Sequence, residues 1–526
     1  MKTTTIVLVA LCGIILTSVL CPAEEQAPVV SVGAGELRGQ GAGSLMIYKG
    51  IPFAAPPVGD LRWRKPQPVQ SWKVTRSATE FGQECMQAPP AFSSNPLRAP
   101  LSEDCLYLNV WAPRNRKAAR LPVMVWIHGG GFVNGGSSPA AFDGSHFAEQ
   151  GIVFVSINYR LGRFGFFAFP ALLHGDGPFG NYALMDQIAA LIWVKQNIAA
   201  FGGDPAQVTI FGESAGGESV NLLLASPQAR GLFVRAIIES GGGRDNLMKA
   251  RPIKDTSSQG EPSAVQIGVN FARSAGIDGE DAKALTALRG LPAERIVNGL
   301  SMGSMEQQIA VYSGPILDGM LVTRTTESAY RDCRHEKAAV IVGANDADLG
   351  AAKGNSAEDI LARFGGDADA ARRAFDIKPD DTEAAVRNRI GGAEMMVEPA
   401  RFVARSIAAC GASVYEFRFS HVAEPLRAKF SGAPHSSEIP YVFGTLSEST
   451  WGNFGKSLAH PDLDVERQMH QYWVNFVKTG DPNGPSLPAW PRYRTSEDRL
   501  MNFTAAGAAS EMDSWRERLD LVEKLH

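Results

Sequence analysis

The chain has 526 residues, a formal net charge of −4 at pH 7 and 44% hydrophobic residues. Its acidic and basic residues are interspersed without a basic patch, which argues against nucleic acid as a partner. This apolar content is enough for a large buried core, and no repeat or long low-complexity segment indicates a fibrous or disordered protein.

The N-terminal residues differ in composition from the rest of the chain. Lys2 precedes an apolar run over residues 6–20, and the small residue Ala23 follows closely. A charged start, a short apolar run and a small residue at its end are typical of a secretory signal peptide. We therefore predict a signal peptide over residues 1–23 with cleavage after Ala23.

Cleavage there leaves a mature protein, residues 24–526, that we predict to be secreted or periplasmic. The apolar run, at about 15 residues, is short for a membrane span, so we expect no stable membrane insertion after the signal peptide is removed. The alternative is a lipoprotein anchored at Cys21, for which the preceding Leu20 is larger than the usual residue.

Four cysteines follow the predicted signal peptide, and export makes disulfides possible. Four cysteines allow three pairings, and the sequence alone does not choose among them. Cys85 and Cys105 enclose a short loop rich in Pro and Ser and form the natural local pair. Cys333 and Cys410 each precede a predicted strand by a few residues, so they meet if those strands are parallel neighbours. The alternative for Cys333 and Cys410 is two buried free thiols.

Apolar strands alternate with helical patterns along the mature chain. Continuous apolar runs separated by helices are typical of a mostly parallel sheet that is covered on both faces. No long polar linker divides the chain, so we predict one α/β domain with insertions. The predicted strands are 122–127, 152–159, 208–211, 236–238, 339–343 and 414–419, and helical patterns cover 181–200 and 218–225.

The strand at 208–211 runs into GESAG (212–216), the only G-x-S-x-G sequence in the chain. A serine between small residues, after a strand and before the helical run at 218–225, is the context of a nucleophile elbow. The N-terminus of that helix favours negative charge near Ser214. We therefore predict that Ser214 is a nucleophile; the alternative is an ordinary tight turn.

Consecutive glycines follow the strand at 122–127. The backbone N–H groups of Gly129, Gly130 and Gly131 are not obstructed by side chains, as the donors of an oxyanion hole must be. With the amide of Ala215, this loop can make an oxyanion hole with three donors. The alternatives are an inert flexible loop and a phosphate cradle, and the lack of a following G-K-[ST] disfavours the cradle.

A serine nucleophile of this kind needs a histidine base, and the order along the chain is Ser, acid, His. His421 and His435 both follow the strand at 414–419, so topology leaves both open.

The acid must lie between the serine and the histidine. Asp346 and Asp348 follow the strand that ends at Gly343, and both are candidates. Asp318 is a further candidate that we interpret as ordering a turn.

Longer motifs span the mature chain, and they are YKGIPFAAPPVGDLRW (48–63), SEDCLYLNVW (102–111), WIHGGGFVNG (126–135), NYRLGRFGF (158–166), FGGDPAQVTIFGESAGG (201–217), ESGG (239–242) and HSSEIPYVFG (435–444). Together they resemble the type-B carboxylesterases, the family that includes cholinesterases and the catalytically inactive neuroligins. The resemblance implies an α/β-hydrolase fold: a large, mostly parallel mixed sheet flanked by helices, with insertions that form the pocket.

The resemblance also implies roles for single residues. It assigns His435 as the base, and His421 becomes a surface or pocket histidine. The other implied roles are nucleophile for Ser214, oxyanion donors for Gly130, Gly131 and Ala215, supporting residues for Glu213 and Ser240, and a buried ion pair for Arg160 and Asp186.

The acid is where this chain departs from the family, which usually has G-x-x-x-D-E-G with Glu as the acid. The stretch here is GANDADLG (343–350). Counting from its first glycine places Asp348 at the Glu position, and aspartate can still accept the histidine N–H. Counting back from its last glycine points to Ala347, which cannot serve. We predict Asp348 as the acid, with Asp346 as the alternative.

A second departure concerns the substrate. In cholinesterases, the disulfide loop carries a Trp that binds the choline cation. The corresponding loop here, residues 86–104, has no Trp, and Phe92 is its only aromatic residue. We therefore predict a generalist or detoxifying esterase that acts on small, uncharged or weakly charged esters.

The predicted reaction proceeds through an acyl-enzyme and uses neither a cofactor nor a metal. The alternatives are a non-catalytic binding or adhesion protein and an amide or carbamate hydrolase with the same triad. Insertions at 244–310 and 351–395 are expected to supply pocket residues. Within the first, SMGSMEQQ (301–308) is either a pocket wall or a surface turn. The sequence leaves the oligomeric state open.

Overall fold

A computed structural model describes residues 27–89, 96–115, 120–173, 179–245, 251–255, 260–449 and 458–526. The predicted signal peptide, the alternative anchor Cys21 and the loop residue Phe92 lie outside these residues. Among the residues that are described, no helix is both long and apolar enough to cross a membrane.

An eleven-stranded mixed sheet runs through the described structure. Its strands in chain order are β1 (Gln40–Ala42), β2 (Leu45–Pro52), β3 (Tyr107–Pro113), β4 (Leu121–Ile127), β5 (Val153–Ile157), β6 (Gly203–Glu213), β7 (Arg235–Glu239), β8 (Ala339–Asn345), β9 (Val414–Phe419), β10 (Arg499–Thr504) and β11 (Gly507–Met512). In space the order is β11-β10-β9-β8-β7-β6-β4-β5-β3-β2-β1.

The pairings are parallel in the centre and antiparallel at both sides of this sheet. All neighbours from β5 across β4, β6, β7, β8 and β9 to β10 are parallel. The pairs β5/β3, β3/β2, β2/β1 and β10/β11 are antiparallel. The predicted apolar strands therefore form the parallel centre, where the carboxyl ends of neighbouring strands share one edge.

The α-helices of the described residues are α1 (Ser145–Glu149), α2 (Gly162–Gly165), α3 (Tyr182–Asn197), α4 (Ala215–Ala225), α5 (Ala264–Ser274), α6 (Ala282–Arg289), α7 (Ala293–Val297), α8 (Thr326–Arg331), α9 (Ala357–Ala362), α10 (Ala368–Ala374), α11 (Glu383–Gly392), α12 (Glu398–Ala409), α13 (Ile439–Phe443), α14 (His460–Thr479) and α15 (Arg516–Glu523). The predicted helix at 181–200 is α3 followed by one 3-10 turn, which ends at Gly202 in the left-handed conformation (φ 86°).

Successive residues of the central strands enter two separate hydrophobic layers, because side chains alternate across a sheet. On β4, Val123 and Val125 belong to one layer, whereas Met124 and Trp126 belong to the other. The first layer lies under α3, α4 and α12, and the second under α1, α13 and α14. Burial on both faces explains why these strands are continuous apolar runs in the sequence.

The described residues contain two disulfides. One joins Cys85 and Cys105, and the other joins Cys333 and Cys410. Cys333 precedes β8 and Cys410 precedes β9, and these strands are parallel neighbours, with Val340 opposite Val414. The second pair is therefore bridged and does not form the two free thiols that the sequence left as an alternative.

Candidate active site

Ser214 lies in the sharp turn between β6 and α4. Its backbone has φ 57° and ψ −123°, a combination that residues other than glycine rarely adopt. A Cβ at Gly212 would lie 2.5 Å from the carbonyl carbon of Gly216, and one at Gly216 would lie 2.0 Å from the carbonyl oxygen of Ile127. Both glycines are therefore sterically required for the turn, which holds the serine out from the strand end.

His435 and Asp348 reach the same place from the loops that follow β9 and β8. The Nε2 atom of His435 lies 2.9 Å from Ser214 Oγ, and its Nδ1 atom lies 2.5 Å from Asp348 Oδ1. The three side chains come from the carboxyl ends of parallel strands, where ligand sites of such sheets lie. The structure thus brings together the serine, histidine and aspartate that the sequence singled out.

Asp348 is held by several donors besides the histidine. Ser240 Oγ donates to its Oδ2 at 2.6 Å, and the N–H groups of Asn345 and Leu349 donate to its carboxylate at 2.9 and 2.7 Å. Burial by itself raises the pKa of Asp348, but His435 and these hydrogen bonds outweigh burial and lower the pKa below its ordinary value. Asp348 therefore remains ionised, as an acid that orients a histidine must.

The other sequence candidates for base and acid point elsewhere. The Oδ1 atom of Asp346 accepts the N–H of Ala433 at 2.6 Å. Asp318 accepts backbone N–H groups of the turn that follows it, as expected. The placement of His421 at the surface or in the pocket is wrong: it is 1% exposed, and its Nε2 lies 2.9 Å from Asp462 Oδ1. The imidazole of His421 is therefore paired with a buried aspartate inside the fold.

Two further carboxylates lie beside His435. Glu213 Oε1 is 3.1 Å from His435 Nε2 and accepts the hydroxyl of Ser436 at 2.5 Å. Burial raises the pKa of Glu213, and burial followed by the neighbouring carboxylates raises the pKa of Glu438 to about 8. Burial alone lowers the pKa of His435, but Glu213 and then Asp348 raise it to about 10. The carboxylates beside the ring therefore stabilise the imidazolium that forms when His435 accepts a proton.

The glycine-rich loop after β4 lies next to Ser214. A Cβ at Gly129 would be 3.1 Å from the Cβ of Ser214. Gly130 and Gly131 have φ of 107° and 63°, which turns the loop. Ala215 is the first residue of α4, where a helix leaves its N–H groups without intrahelical acceptors. Backbone donors from two elements thus lie close to the serine, an arrangement that can bind a negative oxygen.

Some residues of the site were not predicted from the sequence. Asn345 Nδ2 donates to Glu438 Oε2 at 2.5 Å and to the carbonyl of Pro434 at 2.8 Å. Asn345 ends β8, and Glu438 lies three residues after His435. These two positions, at a strand end and near the histidine, were the signals that could have assigned both residues to the site. Ser436, which binds Glu213, lies in the same motif.

The predicted ion pair of Arg160 and Asp186 is present and buried. Arg160 Nε and Nη2 donate to the two carboxylate oxygens, each at 2.8 Å. The pair links the segment after β5 to helix α3, which packs on one face of the sheet.

The sequence profile described as the Carboxylesterase family matches residues 26–363 and 376–519. This chain belongs to that family. The carboxylesterase is thus a carboxylic ester hydrolase, in agreement with the motifs of its sequence.

Curated relatives of the carboxylesterase cover most of its length. Fumonisin B1 esterase from Sphingopyxis macrogoltabida is 34% identical over 89% of this chain and 85% of the relative. Carboxylesterase 5A from Canis lupus familiaris is 34% identical over 94% of this chain and 90% of its own. Liver carboxylesterase 1 from Oryctolagus cuniculus is 31% identical, with 92% and 91% covered.

Solved structures of esterases share its architecture. PNB esterase superposes with a TM-score of 0.78 at 29% identity, covering 94% of this chain and 99% of that chain. The carboxylesterase EST55 of Geobacillus stearothermophilus, at pH 6.2, gives a TM-score of 0.77 at 33% identity, covering 93% and 99%. These likenesses confirm the predicted α/β-hydrolase fold.

Proposed function

We propose that this carboxylesterase is an exported serine esterase that cleaves small-molecule esters with a triad of Ser214, His435 and Asp348. Membership of the family supports ester hydrolysis. The observation that supports the triad is the continuous hydrogen-bonded chain from Ser214 Oγ to His435 Nε2 (2.9 Å) and from His435 Nδ1 to Asp348 Oδ1 (2.5 Å).

In the first half of the proposed reaction, Ser214 Oγ attacks the ester carbonyl carbon while His435 Nε2 takes the hydroxyl proton. The N–H groups of Gly130, Gly131 and Ala215 bind the carbonyl oxygen as it becomes negative. The tetrahedral intermediate then expels the alcohol, which receives its proton from His435, and an acyl group remains on Ser214.

In the second half, water attacks the acyl-enzyme and His435 again accepts a proton. Collapse of the second intermediate releases the carboxylic acid and returns the proton to Ser214. Asp348 stays ionised throughout: it fixes the imidazole so that Nε2 faces the serine, and it stabilises the imidazolium.

Export and domain organisation belong to the same proposal. We infer that residues 1–23 are removed as a signal peptide and that residues 24–526 form one domain in the periplasm or outside the cell. The two disulfides support an oxidising compartment. The intact mass of the protein from its native host gives the first residue and distinguishes cleavage after Ala23 from a lipid-modified Cys21.

The triad is tested by a panel of p-nitrophenyl esters together with a fluorophosphonate probe. We expect hydrolysis by the wild type, loss of hydrolysis in Ser214→Ala, and mass-spectrometric location of the probe on Ser214. A label on another residue, or hydrolysis by Ser214→Ala at the wild-type rate, would overturn the proposed nucleophile.

A further inference from the structure

Residues 301–308, which carry two methionines, lie against the glycine-rich loop of the candidate active site. A Cβ at Gly131 would be 3.2 Å from Met302 Cγ and 3.2 Å from Met305 Cε. Gly131 is one of the proposed oxyanion donors. Two thioether side chains therefore lie beside a residue whose N–H is a proposed oxyanion donor.

Hydrogen bonds attach this segment to the loop. The N–H of Met302 donates to Asn134 Oδ1 at 3.0 Å, and Asn134 Nδ2 donates to the carbonyl of Ala88 at 2.8 Å. Gln87 Nε2 in turn donates to the carbonyl of Gly135 at 2.7 Å. The methionine segment, the glycine-rich loop and the residues after Cys85 are thus joined by polar contacts.

Arg163 of α2 fixes the residues on both sides of the methionines. Its guanidinium, in a residue that is 1% exposed, donates to the carbonyls of Ile296, Val297 and Val311 at 3.0, 2.7 and 2.9 Å. It also donates to Gln308 Oε1 at 2.5 Å. A buried cation whose donors reach both ends of one segment holds that segment in a defined position.

The two methionines differ in exposure. Met302 is 52% exposed, whereas Met305 is partly buried against the first hydrophobic layer, the one under α3, α4 and α12. Methionine is flexible and polarisable, so it adapts to apolar groups of different shapes. An exposed thioether beside a catalytic loop is apolar surface that a bound substrate can cover.

We propose that Met302 and Met305 form an apolar wall of the substrate pocket and determine specificity for esters with a large apolar group beside the carbonyl. This inference rests on the proposed role of Ser214. For the segment at 301–308 the sequence left two alternatives, a pocket wall and a surface turn, and the proposal selects the pocket wall.

The test compares the wild type with the double variant Met302→Ala/Met305→Ala on two substrate pairs. The acetate and octanoate of p-nitrophenol differ in the acyl group, and methyl and octyl acetate differ in the alcohol. We expect the long-to-short ratio of kcat/KM to fall ~10-fold in at least one pair, because lost apolar contacts weaken binding of the long chain.

Two matched variants complete the design. Met302→Leu/Met305→Leu keeps the apolar volume and should restore most of the ratio. Met512→Ala removes a methionine that is 57% exposed on the edge strand β11, and it should leave the ratio as in the wild type.

A double alanine variant that hydrolyses both members of each pair with the wild-type ratio would overturn the wall while leaving the triad in place. A wild-type protein that hydrolyses none of the four esters and is not labelled at Ser214 would overturn the proposed function and the wall together.

Discussion

His435 lies between carboxylates that differ in their tendency to ionise. Asp348, on the Nδ1 side, has a lowered pKa, whereas Glu213, near Nε2, has a pKa raised by burial. Different surroundings thus separate the roles of two acids in one site. Asp348, which is ionised, can orient the histidine. Glu213 adds a negative charge beside the histidine when it ionises.

The first prediction concerns Asp348. Asp348→Asn keeps the shape of the side chain but removes the charge and can stabilise the wrong imidazole tautomer. We expect kcat to fall by up to ~10⁴-fold, with little change in Tm, measured by steady-state kinetics and thermal unfolding.

Asp346 provides the matched control, because its carboxylate binds the Ala433 N–H and not the histidine. Asp346→Asn should reduce kcat far less than Asp348→Asn, and Asp348→Glu should retain measurable activity. A fully active Asp348→Asn enzyme would contradict the assignment of the acid.

The second prediction concerns the pH profile. Negative charge on Glu213 stabilises the imidazolium of His435 and so raises the pKa of the histidine. Glu213→Gln removes this charge, so the neutral base form becomes available at lower pH. The acid limb of the kcat/KM profile, which reports the free enzyme, should move down by ~1 pH unit.

Glu218→Gln is the control for this shift. Glu218 is buried on α4, and burial raises its pKa to about 8, so below that pH the carboxyl is neutral and Gln replaces it closely. The kcat/KM profile of Glu218→Gln should therefore have its acid limb at the same pH as the wild type. An unmoved limb in Glu213→Gln would mean that Glu213 carries no charge where His435 titrates.

At the level of single residues, the sequence located Ser214 and His435 through their motifs, but it located Asp348 only by counting along a loop. Asn345 and Glu438 stayed outside the prediction because their contact depends on how two loops approach each other. The packing of two loops that are far apart in the chain cannot be predicted from a local sequence pattern.

At the level of elements, the glycine-rich loop includes a position that a larger residue cannot occupy without moving the backbone. Gly130 has φ 107°, and a Cβ there would lie 2.2 Å from the carbonyl oxygen of Asn134. At Gly131 the nearest atoms belong to flexible methionine side chains at 3.2 Å. An added Cβ therefore displaces backbone at Gly130, whereas at Gly131 it meets side chains that can move.

The third prediction follows from this clash. Gly130→Ala must displace the loop and its donors, so we expect kcat to fall ~10²-fold or more. Gly151→Ala is the control, because Gly151 also has positive φ (82°) but no neighbour within 4 Å of an added Cβ. Wild-type kcat in Gly130→Ala would contradict a role for this loop in catalysis.

The central strands were predictable because burial on both faces leaves a continuous apolar signal. Strand β6 begins at Gly203, five residues before the predicted start, because its first residues are small or polar. Helix α4 begins at Ala215 and not at 218, since its first turn contains glycines that carry no helical pattern. Strands β1, β2, β3, β10 and β11, on the two sides of the parallel centre, were not predicted. The edge strands β1 and β11 have no apolar run.

At the level of the whole molecule, the two disulfides close loops of different length. The cysteines of the Cys85–Cys105 bridge are 20 residues apart, and those of Cys333–Cys410 are 77 apart. A longer closed loop removes more entropy from the unfolded chain, which corresponds to about 3 and about 4.5 kcal/mol, respectively.

The fourth prediction compares these bridges. Cys333→Ala/Cys410→Ala should lose more stability than Cys85→Ala/Cys105→Ala in denaturant unfolding, because of its longer loop. A thiol reagent applied to the unreduced, denatured mature protein should find no free thiol. The reverse order of stabilities would show that packing around the cysteines outweighs loop length.

The loops that carry Asp348 and His435 are tied directly to each other. Ala347 donates its N–H to the carbonyl of Ala433 at 3.1 Å, and Asn345 Nδ2 donates to the carbonyl of Pro434 at 2.8 Å. The two loops therefore constitute one cooperative unit for local unfolding, and their amide protons should exchange with solvent in the same opening events. The segment at 301–308 is held instead by Arg163 and Asn134, so a substitution in that segment should leave the contact between His435 and Asp348 in place.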